Sequence, residues 1–308
     1  MDPVPHYSHG MVFEIRTAVP DDAVGIARVW AAVMPQLVMT PRGIEAGLRN
    51  SSTRVVLVAV DGPDVVGYGN VYLPDPEQEA PRVRITVQVP PEQRRQGIGG
   101  ALTDAIVAEA ARAGAASLLI VVRDDDASKE FATKRGFVIG RRMSSSSADL
   151  SAVPEPLPAP EGLRVVDYDQ VEPRQIWLAS TAVADGDPSG LSDSPPYDEW
   201  LAAQWDHPDL RRDLSAAVLD GDIVLSFVTT TADPERRVIW SNLTGTIPAA
   251  RGRRLAKVVK STALARARDA GFVTAHTGND AGNAPMLAVN EWLGYRVTGA
   301  SWTAEKTL

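Results

Sequence analysis

The residues best suited to chemistry lie in two short loops. The first reads Pro91-Glu92-Gln93-Arg94-Arg95-Gln96-Gly97-Ile98-Gly99-Gly100-Ala101-Leu102 and joins a strand-like stretch at 83–89, ending Val87-Gln88-Val89, to an amphipathic stretch at 97–113 with helical spacing. Glycines lack Cβ and let backbone N–H groups approach a ligand closely, and the positive end of a helix dipole adds attraction for anions. A pyrophosphate suits such a loop. No Lys-Ser/Thr follows the glycines, which excludes Walker-type nucleotide binding. The second loop, Pro248-Ala249-Ala250-Arg251-Gly252-Arg253-Arg254-Leu255-Ala256, follows a strand-like stretch ending Thr246-Ile247 and repeats the Pro-x-x-Arg start at an offset of 157 residues.

The elements that must position these loops repeat as well. In the first half, strands are predicted at 13–19, 55–60, 65–73, 83–89, 118–122 and 137–143, with helices at 21–34, 97–113 and 126–135. In the second, strands are predicted at 163–168, 215–219, 223–229, 238–247, 272–277 and 295–302, with helices at 173–184, 197–205, 254–270 and 284–293. Arg94 lies 42 residues before the Gly136 of Arg-Gly-Phe, and Arg251 lies 43 before the Gly294 of Leu-Gly-Tyr. A length of 308 residues fits two domains of about 150 each. A serine run followed by spaced prolines at 144–160 reads as an extended connection. The expected organisation is a first domain at 1–150, a linker at 151–162 and a second domain at 163–308.

Composition removes other chemistries. Hydrophobic residues at 44% and charged residues at 23% describe a globular chain able to fill two cores. With no cysteine there are no disulfides, thiolate metal sites or cysteine nucleophiles, and the scattered His6, His9, His207 and His276 do not suggest a metal site. A net charge of −8, divided −2 and −6 between residues 1–150 and 151–308, argues against nucleic-acid binding. No apolar run is long enough to span a bilayer and the start lacks a secretory pattern, so a cytoplasmic location is expected.

The loop Arg94-Arg95-Gln96-Gly97-Ile98-Gly99 resembles the R/Q-x-x-G-x-G/A signature of the GCN5-related N-acetyltransferase (GNAT) superfamily, and Ala127 through Phe137 is similar to that family's closing helix and final Gly-Phe. The second half, through Arg251 to Ala256, Lys260, and Thr277 to Tyr295, resembles a subgroup of tandem acetyltransferases, although Arg254 stands where the general signature has Gly. The resemblance implies an α/β (α+β) chain of two tandem acyl-CoA N-acyltransferase folds, each a mixed, mostly antiparallel sheet flanked by helices. It further implies acetyl-CoA as cofactor, held between two splayed parallel strands with its pyrophosphate at the helix start. The contacts implied are Val87, Gln88, Val89, Arg94, Arg95, Gln96, Gly97, Ile98, Gly99, Gly100 and Ala101 in the first half. In the second they are Thr246, Ile247, Arg251, Gly252, Arg253, Arg254, Leu255 and Ala256, with Asn279 and Asn283 added from the start of the closing helix.

Family members often place a Tyr acid four residues before the final Gly. Here that position holds Ala132 in the first half and Asn290 in the second. Asn290 can donate a hydrogen bond to a departing thiolate but cannot deliver a proton at neutral pH. The carboxylate base often found on the strand before the loop is absent from both halves, and Leu243 stands where the subgroup often has Asp. His276, near the thioester end that the resemblance implies, has an ordinary pKa that suits a base. Asn283 equally fits a plain helix cap. The acidic residues Asp185, Asp187, Asp193, Asp198 and Glu199 lie where the family builds its acceptor site, or form a solvated loop. The expected activity is direct acetyl transfer to the primary amine of a small molecule, by a monomer in which the duplication makes an internal pseudo-dimer. Two alternatives stand beside it: a catalytically silent CoA-binding or regulatory module, and a mycothiol-synthase-like arrangement with one active half.

Overall fold

The computed structural model of the chain describes residues 4–8, 11–50, 53–74, 78–184 and 195–308. They form two compact units, Met1–Gly140 with Ser301–Leu308, and Arg141–Ala300. The first unit carries β1 (Val4–Ser8), β2 (Met11–Thr17), α1 (Ala23–Val33), α2 (Pro41–Asn50), β3 (Arg54–Asp61), β4 (Asp64–Tyr72), β5 (Arg82–Gln88), α3 (Ile98–Arg112), β6 (Ser117–Arg123), α4 (Asp126–Thr133) and the start of β7 (Val138–Asp149). The second carries the rest of β7, then β8 (Arg164–Val166), α5 (Pro173–Ala184), α6 (Tyr197–Trp200), β9 (Ala216–Asp220), β10 (Ile223–Asp233), β11 (Val238–Thr246), α7 (Leu255–Asp269), β12 (Thr274–Asp280), α8 (Ala284–Trp292) and the start of β13 (Arg296–Thr307).

Each sheet is antiparallel except at one central pair. In the first unit β1 to β5 pair antiparallel in sequence order, β5 pairs β6 in parallel, and β6 pairs antiparallel with residues 301–307 of β13. In the second, β8, β9, β10 and β11 pair antiparallel in order, β11 pairs β12 in parallel, and β12 pairs antiparallel with residues 143–149 of β7. Both faces of each sheet are covered, which explains the near-continuous apolar strands. In β3, Leu57 and Ala59 face the layer holding Leu102 and Ile106 of α3, while Val56 and Val58 face Ile26, Val29 and Trp30 of α1. In the second unit α7 supplies Val258 and Val259 to one face, and α5 packs Ile176 with Tyr168, Trp200, Trp205 and Phe227 on the other. Among the described residues, no helix is long and apolar enough to cross a membrane.

The division differs from a boundary inside 144–160. The serine run is part of β7, paired residue by residue from Met143↔Asp280 to Asp149↔Thr274. Ser144, Ser146 and Ala148 are buried in alternation, so small side chains on a strand, not a flexible connection, explain the composition. The expected linker also lies on the second unit: Leu150 and Val153 join its core, and the Leu157 N–H donates to Ser261 Oγ at 3.1 Å. The chain therefore changes unit at 140/141 and again at 300/301, and the last strand of each sheet comes from the other half of the sequence. Two more differences are local. β1 and α2 were not foreseen, and the helix expected at 197–205 is four α-helical residues followed by a π-helical turn at Leu201–Trp205.

Deleting Ser301–Leu308 should unfold the first unit in preference to the second. At about 1 kcal/mol per backbone hydrogen bond, loss of the ladder from Ser301↔Arg123 to Thr307↔Ser117 costs several kcal/mol, a large share of a domain's stability of roughly 5–15 kcal/mol. Amide hydrogen exchange would report it, and equal protection of β6 in the full and shortened chains would contradict the assignment.

Candidate active site

Both glycine-containing loops fold alike. After β5 the chain makes a 3-10 turn at Pro91–Gln93, and Arg94 turns its Nε back to the Val89 carbonyl at 3.1 Å. After β11 the same turn falls at Pro248–Ala250, and Arg251 Nε donates to the Thr246 carbonyl at 3.3 Å. Two left-handed residues then precede each helix: Arg95 (φ 66°) and Gly97 (φ 85°) in the first unit, Gly252 (φ 79°) and Arg254 (φ 61°) in the second. The backbone path is conserved across the duplication while the glycine has changed place within it. A non-glycine residue in this conformation costs about 1–2 kcal/mol, so Arg95 and Arg254 are held there by the turns around them.

The side chains divide into anchors and exposed charges. Ile98 and Leu255 are fully buried and fix the first helical turn, so any contact they make with a ligand is through the backbone. Val87, Val89 and Ala101 are half-buried against the α3 core, while Gln88 lies on the opposite face with its Nε2 3.7 Å from Met34 Sδ. Arg94, Arg95, Arg251, Gly252, Arg253 and Arg254 are exposed, and Gln96, Gly99, Gly100 and Ala256 are partly covered. Two residues not singled out from the sequence close over the first loop. A Cβ on Gly99 would touch the Phe131 ring at 3.5 Å, and one on Gly100 would lie 2.7 Å from Arg135 Nη2. Arg135 stacks on Phe131, its guanidinium carbon 3.7 Å from the ring centroid, and adds a third positive charge to this helix start. Only the run of small residues opposite α4 hinted at this approach.

Each loop lies at the open end of a fork between the two parallel strands. In the first unit the β5–β6 pairing runs from Arg82↔Ser117 to Arg84↔Leu119 and then stops, although the strands continue to Gln88 and Arg123. In the second the β11–β12 pairing stops at Ser241↔Thr277, where Thr277 Oγ1 donates to the Ser241 carbonyl at 3.1 Å. Here β11 also carries an extra residue relative to β10, whose register shifts between Val228↔Thr244 and Thr230↔Ser241. β5 pairs with β4 without such a shift.

Beneath the second fork is a buried polar layer. Asn290 is 3% exposed and donates through Nδ2 to Asn279 Oδ1 at 2.6 Å. The Tyr295 hydroxyl meets Ser241 Oγ at 3.2 Å, and burial holds it far above the usual phenol range. Lys260, on α7, is 1% exposed with its Nζ 5.2 Å from the Tyr295 ring centroid, and burial lowers its pKa to about 7. The corresponding places in the first unit are Ala132, Val122, Phe137, Ile85 and Thr103, and only the threonine is polar; its Oγ1 donates to its own helix at the Gly99 carbonyl. Asn279 and Asn290 are therefore brought together, whereas Asn283 caps α8 by accepting from the Met286 N–H at 3.3 Å. His276 lies on the face of β12 opposite Thr277, one pair before the fork, and pairs in register with Trp240. Burial, and then the charge of Arg236, lowers its pKa, which leaves it neutral at pH 7. Asp185, Asp187 and Asp193 lie outside the described residues. Asp198 and Glu199 are exposed on α6, beside Tyr197, whose ring stacks on Trp200 and meets Trp177 edge-on.

A duplicated mixed sheet whose parallel pair opens over a tightly turned helix start defines a tandem GNAT protein, and this chain is an N-acetyltransferase of that family. Residues 27–137 match the family model described as acetyltransferase (GNAT) family. The chain is 27% identical over 243 residues to a mycothiol acetyltransferase of Streptomyces coelicolor, which covers 78% of this chain and 75% of the relative. It is 30% identical over 224 residues to a mycothiol acetyltransferase of Brachybacterium faecium, covering 70% and 66%. Among solved structures, a tandem GNAT protein from the clavulanic acid biosynthesis pathway, determined without acetyl-CoA, superposes with a TM-score of 0.73 at 17% identity over 96% of this chain and 98% of that one.

Charge reversal at the two loops separates their contributions. Gly99→Glu should weaken acetyl-CoA binding at the first loop by at least about tenfold, since a carboxylate at a helix N-terminus competes with an anionic ligand. The double change Arg251→Glu with Arg254→Glu should do the same at the second. Calorimetric titration of each variant is the check, and unchanged affinity and stoichiometry in both would remove the loops from the cofactor site.

Proposed function

We propose that the chain transfers an acetyl group from acetyl-CoA directly to the primary amine of a small molecule. The observation that carries this reading is the fork itself. Strand edges that stop pairing between β5 and β6, and between β11 and β12, offer backbone donors and acceptors to an extended ligand, and each fork leads to a helix N-terminus rich in arginine. The pantetheine arm of acetyl-CoA would lie along the strand edges, with its phosphates at residues 94–101 or 251–256. Holding donor and acceptor together supplies much of the rate for such a reaction. The absence of cysteine excludes an enzyme thioester, which accords with direct transfer. An acidic chain is a poor match for polyanions, and the name of the two relatives points to acceptors of the mycothiol type.

A second reading, with one working half and one scaffold half, is favoured by the contrast between the polar second fork and the largely apolar first. Under either reading, saturating acetyl-CoA should raise the melting temperature by several degrees, because a ligand at 100 times its Kd stabilises by about 2.7 kcal/mol. A panel of small amines, with mycothiol-type acceptors included, should yield acetyl-CoA-dependent free thiol. A melting temperature that rises with acetyl-CoA, together with no thiol release from any amine, would favour the silent CoA-binding module instead, and one that does not move would count against cofactor binding altogether.

A further inference from the structure

The second unit buries a lysine that has no counter-ion. Lys260 is as hidden as the leucines around it, and among the described residues no carboxylate is paired with it. Of the titratable groups on the elements packed around α7, Asp220 at the end of β9 is exposed and others are engaged elsewhere. Asp280 of β12 is bound to Arg141 and Asp233 of β10 to Arg236, while Lys257 of α7 lies over Trp292 and His276 is on the other face of β12. What Lys260 does meet is the ring of Tyr295, whose hydroxyl is tied to Ser241, the last residue of β11 before the fork opens. An unpaired buried cation is strongly disfavoured, and a methionine or leucine would fill the same space without that cost. The first unit has Thr103 at this place.

We propose that Lys260 is the proton donor to the departing thiolate, and that the second unit is therefore the half that turns over. The proposal rests on the acetyl-transfer reading above. The acceptor nitrogen bonds to the thioester carbonyl carbon, and the C–S pair leaves on sulfur. The nitrogen gives up one proton to solvent, sulfur takes one from the Lys260 ammonium, and Lys260 is reprotonated from solvent before the next cycle. Tyr295 and Ser241 are positioning residues that hold the ammonium beneath the fork. Burial lowers the lysine to about 7, below the ordinary thiol value near 8.5, so the proton moves downhill. An ordinary lysine near 10.4 would hold it. Lys260 thus fills the place left by Asn290, which cannot supply a proton.

The test compares the full-length native protein with Lys260→Met and Lys260→Arg, using thiol release from acetyl-CoA with whichever amine the native protein accepts. Lys260→Met should lower kcat by roughly 10²-fold, the range of a lost general acid, with the KM for acetyl-CoA little changed. The native kcat should fall as pH rises and Lys260 loses its proton, and this limb should be missing from Lys260→Met. Lys260→Arg keeps the charge without a transferable proton and should not restore the rate. Stability gives a readout independent of turnover. Lys260→Met should melt higher than the native protein near pH 7, and the gap should shrink as pH rises toward the ordinary lysine value, because over that range the folded native protein binds fewer protons than the unfolded chain and gains stability with pH. A merely structural lysine would instead leave the variant less stable. Native activity with unchanged kcat and pH profile in Lys260→Met overturns the proposal alone. Absence of thiol release from the native protein with every amine overturns the acetyl-transfer reading and the donor role together.

Discussion

Parallel strands that stop pairing while both continue create a problem that the rest of this fold answers. Buried backbone donors and acceptors must find partners, and past Arg84↔Leu119 and Ser241↔Thr277 the facing edges no longer provide them. The outer edges remain paired, β5 to β4 and β6 to residues 301–307, β11 to β10 and β12 to residues 143–149, so the strands cannot close the gap by sliding together. A helix packed under each fork, α3 or α7, starts where the gap is widest. The turn that aims it requires two left-handed residues, which accounts for the glycine at one of the two places in each loop, while the arginine at the other is held there by the turn.

The two copies show which parts of that arrangement tolerate change. The 3-10 turn, the arginine bonded to the strand-end carbonyl and the pair of left-handed residues recur at one offset, although only one of the two left-handed positions is glycine in either copy. Backbone geometry has been kept and side-chain identity has not. Beneath the forks the copies have separated chemically. Phe137 and Ile85 make the first an extension of the α3 core, whereas the second holds the Tyr295–Ser241 and Asn290–Asn279 hydrogen bonds, with Lys260 buried against the Tyr295 ring.

Much of this was legible in the sequence because it is local. Strand alternation, the Pro-x-x-Arg starts and the spacing to Gly136 and Gly294 depend on neighbouring residues, and the predicted helices at 97–113 and 254–270 differ from α3 and α7 only at their ends. The serine run misled because composition speaks to flexibility, whereas strand formation at 143–149 was decided by a partner, β12, more than 120 residues away. Asn279 and Asn290 could be named but not joined, since their contact depends on how α8 lies against β12. Lys260 was visible as one residue of a familiar pattern. Its significance is its burial beside Tyr295, and a helix interior containing both Lys257 and Lys260 does not announce which of the two is hidden. Arg135 was missed for the same reason, because its reach to Gly100 crosses between α4 and α3.

The crossing of the chain between units has a consequence in time. A ribosome adds roughly 5–20 residues per second. The outer edge of β6 is complete when Arg123 emerges, but its partner strand begins at Ser301, so that edge waits for roughly ten to forty seconds with its hydrogen-bonding groups open. The second unit faces no such delay, since its borrowed strand precedes it. The half of the protein made first is thus the half finished last, and its yield in a cell depends on what shields one unpaired strand while the other half is translated.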